Sequence, residues 1–224
     1  MRLRFCPPWI VAGPALLLLM TPASAFGQTG TSVTCIPVSE RAGRAFGCFI
    51  LATQAIGPLD SGQAFWHLST FATRSAAEAV AGSRGRVVEA LGKVWLLTIA
   101  EARWRPSQGT HVAGIGLLPI EHGVTYTAQY MEAVFRPGMK SLVHRHSGPE
   151  AWYTLAGETC LETPAGRLVG RAGGPPVIVP QGPPMELTAT GTEVRRALVL
   201  VLHDSAQPAT SPAPDWSPRG LCQA

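Results

Sequence analysis

The chain has 224 residues with 18 Lys and Arg against 14 Asp and Glu, a formal net charge of +4. Hydrophobic residues make up 46% and charged residues 14%. Setting aside Arg2 and Arg4 lowers the balance to +2, and the remainder has no basic stripe of the kind that grips nucleic acid.

The first segment reads as a leader. Arg2 and Arg4 precede an apolar stretch from Trp9 to Met20, and Ala23-Ser24-Ala25 supplies the small residues that signal peptidase reads. A run of about a dozen apolar residues is too short to span a bilayer, so residues 1–25 are expected to be a cleaved signal peptide. Cys6 lies ahead of the apolar run and so is not placed for lipid attachment. No later segment is apolar over a membrane's width, and the protein is expected in the periplasm or outside the cell, with no membrane partner.

Export sets the expectation for the cysteines. Cys35, Cys48, Cys160 and Cys222 remain, and four cysteines in an oxidising compartment allow three pairings. Cys35–Cys48 would close a short loop and Cys160–Cys222 would tie the C-terminus to the core; the alternative leaves some of them as buried free thiols. None is spaced as a zinc knuckle or a CxxC redox pair.

Residues 26–105 give mixed signals and are expected to form an N-terminal α/β extension of unclear fold. "QAFWHLSTF" has strand composition, "SAAEAVAG" predicts a short helix ending at Gly82, and "GRVVEALGKVWLLTIAEARW" predicts two strands around Gly92. The segment is either a separate layer or a set of strands added to the sheet that follows. From 106 to 204 short apolar runs alternate with turn residues: Arg136-Pro137-Gly138, Ser147-Gly148-Pro149, Pro164-Ala165-Gly166, Gly173-Gly174-Pro175-Pro176 and Gly191. That rhythm predicts an antiparallel sandwich or barrel. Residues 205–224, with Pro208, Pro212, Pro214 and Pro218, are expected to be an extended tail.

One stretch, "LVHRHSGPEAWYTLAGE", carries chemistry. His144 and His146 are two apart on a predicted strand, so their side chains leave the same face. Ser147-Gly148-Pro149 can reverse the chain and bring the Glu150 carboxylate beside them. Two imidazoles and one carboxylate on one face suit a divalent metal with open positions; Fe(II) is favoured, and Mn, Ni, Cu and Zn accept the same ligands.

The spacing carries a resemblance. Gly138, five residues, His144, one residue, His146, three residues, Glu150, six residues, Gly157 is similar to the first motif of the cupin family. Gly174, five residues, Pro180, one residue, Gly182 is similar to its second. The resemblance covers roughly 100 residues and implies a mainly β fold, the double-stranded β-helix or jelly-roll barrel. It implies His144, His146 and Glu150 as metal ligands. The family's second motif continues with a histidine three residues after its last glycine, where this chain has Met185, and with an asparagine where it has Ala189. Met185 is open to three readings: a pocket-wall residue beside a three-ligand metal, a thioether ligand favouring copper, or the mark of a site that no longer binds metal tightly.

Strand alternation nominates the pocket. Trp152 and Thr154 share the face of Glu150. On the preceding strand either Tyr126 and Tyr130 with Glu132, or Gln129 with Met131, point inward, and we assign the substrate pocket to Trp152, Thr154, Tyr126 and Tyr130. Gln129 or Glu132 would orient a ligating histidine. Arg145 should face away from the histidines; Arg195 and Arg196 read as solvated charges, with an inward anion anchor as the alternative. His203 is a strand-end residue that could stand in for the missing histidine. Cupins include dioxygenases, isomerases, lyases and non-catalytic binders. The resemblance therefore implies an exported metal-dependent enzyme acting on a small organic molecule, or a small-ligand binder with weak or absent metal, and a homodimer in either case.

Overall fold

The computed structural model describes residues 32–60 and 64–223; the expected signal peptide, 1–25, lies outside them. The first strands are β1 Ser32–Val33, β2 Cys35–Pro37, β3 Gly47–Pro58 and β4 Phe65–Phe71. A short helix, α1 Arg74–Glu78, precedes β5 Gly85–Ala90, β6 Lys93–Ala100 and β7 Thr110–Ile115. Next come β8 Thr125–Phe135, β9 Lys140–Ser141, β10 His144–His146, β11 Glu150–Ala156, β12 Glu158–Thr163 and β13 Gly166–Arg171. The chain finishes with β14 Val177–Val179, β15 Glu186–Thr190, β16 Arg195–Asp204 and β17 Thr210–Pro212.

Two sheets make the barrel. One has the order β14-β11-β16-β8-β3-β2 and the other β1-β9-β15-β12-β13. Met131, Val199 and Val201 from the first meet Leu161, Leu187 and Ala189 from the second in one buried cluster. This is the mainly β jelly-roll barrel that the turn rhythm and the motif spacing predict.

A third sheet, order β5-β6-β4-β7, covers the outside of the first. Trp66, Leu68 and Trp95 pack there against Tyr126, Tyr130, Leu198 and Leu200. Strands β8 and β16 are therefore apolar on both faces, like the strands of a sheet covered on both sides. The same burial explains why alternation along β8 is illegible from sequence: each register offers a convincing interior.

Sheet membership differs from the boundary drawn at residue 106. β3 pairs with β8 over Gly47–Pro58, and β1 pairs with β9, so both barrel sheets begin within the N-terminal segment. Conversely β7 pairs with β4 in the covering sheet. Composition changes near 106, but strand pairing is non-local and ignores it. The helix is short, with the Thr73 hydroxyl accepting from the Ala76 N–H at 3.2 Å. The strands expected around Gly92 are β5 and β6, joined by Leu91 and Gly92, both at positive φ (51° and 75°), the conformation that a two-residue hairpin turn demands. The Leu91 N–H donates to Glu132 Oε2 at 3.1 Å, which helps hold a leucine in a conformation it disfavours.

Two disulfides staple the fold: Cys35–Cys48 between the paired strands β2 and β3, and Cys160–Cys222 between β12 and the tail. No helix among the described residues is long and apolar enough to cross a membrane.

Candidate metal centre

His144 and His146 sit at either end of β10 with both rings turned to the barrel interior, while Arg145 between them turns out and meets Asp215 at 2.8 and 2.9 Å. Pro149 then carries the chain into β11. The turn works because Gly148 has no side chain: a Cβ there would come within 1.9 Å of the Leu202 carbonyl oxygen. That close approach lets Leu202 N–H donate to Pro149 O at 2.9 Å and sets Glu150 opposite Val201. Gly157, at φ +67°, ends the strand against the backbone of Arg195, where a Cβ would sit 2.8 Å from Arg195 Cα.

The three side chains converge. His144 Nε2 and His146 Nε2 are 3.1 Å apart, and His146 Nε2 lies 3.8 Å from Glu150 Oε2. The other ring nitrogens are held by main-chain carbonyls: His144 Nδ1–H donates to Leu142 O at 2.7 Å and His146 Nδ1–H to Ala209 O at 2.8 Å. A carbonyl can only accept, so each Nδ1 carries the proton and each Nε2 presents a lone pair. Glu150 Oε2 is buried and has no hydrogen-bond partner among the described residues. Among those residues no group of three or more His, Cys, Asp and Glu stands as an assembled coordination sphere, the His146–Glu150 separation being wider than the His144–His146 one.

Burial sets the protonation states. Loss of solvent lowers both imidazoles, His146 to about 4, with the His144–His146 proximity adding to the effect on His144. Burial also pushes the Glu150 carboxyl up, against the pull of His144 and Arg195. At neutral pH both rings are uncharged, the form that ligates cations.

These donors open onto a cavity of about 490 Å³ inside the barrel. Its walls are mostly apolar, including Ile50, Met131, Phe135, Leu161, Leu187 and Val199, with Gln129 and Arg195 as further polar side chains. The inward set on β8 is thus Gln129 with Met131. Tyr126 and Tyr130 do not line this pocket; they face the covering sheet, where they are fully buried, and Glu132 faces the same way to pair with Arg41. The orienting acceptors are carbonyls rather than Gln129 or Glu132. Trp152 and Thr154 do share the interior face of Glu150, but Trp152 is packed into the apolar cluster and neither residue reaches the cavity wall.

Met185 forms a two-hydrogen-bond antiparallel bridge with His144, so the two side chains leave the same face. It is fully buried in the apolar cluster and does not line the cavity. His203 is half-buried, its Nδ1 bonds the carbonyl of its neighbour Asp204 at 2.8 Å, and it does not line the cavity. Arg196 is exposed, whereas Arg195 is fully buried and faces the cavity.

Sequence reasoning missed the tail. Ala209, Thr210 and Pro212 line the cavity, and β17 pairs antiparallel with β10 across all three residues of the His-Arg-His strand. Ser147 Oγ donates to Pro208 O at 2.7 Å, and Glu162 accepts from the Arg219 and Leu221 N–H groups. A proline-rich segment with little hydrophobic patterning carries no signal for this role; Cys222 was the one pointer that it returns to the barrel.

No protein-family model matches the chain, and no curated protein matches it. Among solved structures it is similar to a cupin-like protein of Thermotoga maritima, at 16% identity and TM-score 0.35, over 38% of this chain and 64% of that one. An oxalate oxidase in complex with the substrate analogue glycolate matches at 19% identity and TM-score 0.33, over 39% and 46% of the two chains. A cupin domain of Bordetella pertussis matches at 21% identity and TM-score 0.30, over 39% and 91%. The match thus spans less than two thirds of the first and less than half of the second.

Proposed function

We propose that this chain, a barrel of the cupin type, is an exported protein that holds a divalent metal ion on His144, His146 and Glu150 and acts there on a small organic molecule. One observation carries the reading: two imidazole lone pairs face each other 3.1 Å apart in a buried site, each locked in that tautomer by a backbone carbonyl. Facing lone pairs repel, and the lowered imidazole values leave no proton to sit between them near neutral pH. A cation removes the repulsion and also meets the unpartnered Glu150 oxygen.

The spacing fits. Donors about 2.1 Å from an ion and at right angles would lie about 3.0 Å apart, close to the 3.1 Å between the imidazoles, while Glu150 Oε2 stands wider, 3.8 Å from His146. The nitrogen and oxygen donors favour Fe(II), with Mn, Ni, Cu and Zn as further candidates. A bound ion would supply Lewis acidity or redox chemistry at the positions these ligands leave open. The chain's own part is to orient both rings through Leu142 and Ala209 and to line the chamber with mostly apolar side chains. Met185 we assign to packing beside His144, in the apolar cluster.

A second reading, a ligand binder without catalysis, is favoured by two observations. No cavity side chain besides Glu150 is placed as a general base, and a methionine occupies the position of the family's remaining histidine. Metal analysis of the exported protein, purified without chelators, separates the two. Stoichiometric iron or manganese, lost in both His144→Ala and His146→Ala while the fold persists, supports the metalloenzyme. Metal-free protein indifferent to added divalent ions supports the binder. N-terminal sequencing of the same material is expected to begin just after Ala25.

A further inference from the structure

The cavity has a second polar end. Arg195 is fully buried, yet its Nε, Nη1 and Nη2 have no hydrogen-bond partner among the described residues. Its guanidinium lies over two rings, 5.4 Å from the Phe135 centroid and 5.8 Å from that of Trp152. No carboxylate pairs with it among the described residues, and Arg196 beside it on β16 is the one that faces solvent.

Position on the strand explains where it points. Arg195 lies opposite Phe135, whereas Glu150 lies opposite Val201, six residues further along β16. The two backbone positions are therefore about 20 Å apart along the strand. The side chain reaches back over Trp152, which is opposite Val199, and its charge is felt at Glu150. The chamber between them is about 490 Å³ and largely apolar.

A cation buried among apolar groups without hydrogen bonds is destabilising, and the two rings and the charge of Glu150 offset that only in part. A guanidinium presents its N–H groups as a planar fork matching the two oxygens of a carboxylate. We propose that Arg195 is the anion anchor of this cavity, and that the molecule bound there is a small carboxylate whose carboxylate group sits on Arg195 while its apolar body reaches toward the imidazole pair. The inference names the substrate class for the site described above and rests on the barrel chamber being the place where ligand binds. An apolar body suits the walls, and a chamber of this size admits a compact organic acid.

The test is titration calorimetry on the exported protein with butanoate, hexanoate and benzoate, each beside its amide, with metal content measured on the same samples. At least one acid should bind saturably and at least about tenfold tighter than its amide. Arg195→Met should erase that preference, and Arg195→Lys should keep part of it. Because Arg195→Met exchanges an unpaired buried charge for an apolar chain of similar length, it should melt at or above the wild-type temperature and retain its metal. The proposal fails if no acid binds, if amides bind equally, or if Arg195→Met keeps the preference. Metal-free wild type that still binds acids through Arg195 would overturn the metal centre and leave the anchor standing. Metal-replete protein indifferent to carboxylates would do the reverse.

Discussion

The His146 ring is oriented by the carbonyl of Ala209, a residue 63 positions later in the chain, in a tail that pairs with β10 and lines the cavity. The site is thus assembled from two parts: a turn that carries the chain from β10 into β11 of another sheet and brings the donors together, and a tail that fixes the tautomer of one of them. This dependence leads directly to the first expectation.

The Cys160–Cys222 disulfide anchors that tail and closes a separation of 62 residues. By loop entropy such a closure contributes about 4 kcal/mol. The double variant Cys160→Ser/Cys222→Ser should lose about 2–4 kcal/mol in urea unfolding. It should also bind metal more weakly, since a freed Ala209 no longer holds His146 Nδ1, and losing such an outer hydrogen bond costs about 10–100-fold in affinity. Unchanged affinity in a destabilised variant would show that the tail only adds stability.

Met185 leaves the same face as His144 from the adjacent backbone. Met185→His should therefore add an imidazole beside the existing pair and tighten metal binding, read by competition with a chelator. No change in affinity would mean that position 185 cannot reach the ion. Burying a polar ring where a thioether packed should cost the metal-free form stability, by about 1–3 kcal/mol.

The pH dependence has a definite sign. Burial holds His146 at about 4 and lowers His144, against an ordinary imidazole value of 6.5. The unfolded chain then binds protons that the folded chain refuses, so this contribution to stability is complete above pH 6.5 and drains away as pH falls toward 4. Glu150, raised by burial, runs the opposite way: its contribution is present at low pH and is lost as pH rises through its elevated value. Metal-free protein should show a falling urea midpoint from pH 7 to pH 5, with a flatter slope in His146→Gln. The same slope in wild type and His146→Gln would contradict a neutral, buried His146, since Glu150 contributes equally to both.

Much of the site is legible before any fold is known. His144 and His146 are two apart on a strand, and a three-residue turn leads to Glu150; the spacing is legible locally, but the turn passes into a strand of another sheet rather than reversing onto a partner, and that only the fold shows. Four cysteines allow three pairings, and the structure forms the expected Cys35–Cys48 and Cys160–Cys222, although only the fold shows that the second secures the tail whose carbonyl orients His146. Arg195 and Arg196 illustrate the limit. They are neighbours of identical chemistry, and which one enters the barrel depends on how β16 registers against β8 and β11.

Taken alone, then, the sequence determined the β class, the turns between strands and the local convergence of two imidazoles with a carboxylate. These depend on interactions between near neighbours in the chain. The tertiary structure decided which face of Thr125–Phe135 looks inward, what closes the chamber and which arginine is buried. A second sheet covers the barrel and makes both faces of the central strands apolar, so hydrophobic patterning loses its power to tell inside from outside. The tail's hold on His146 is a backbone contact across 63 residues, and a carbonyl leaves no mark in the identity of the residue that bears it.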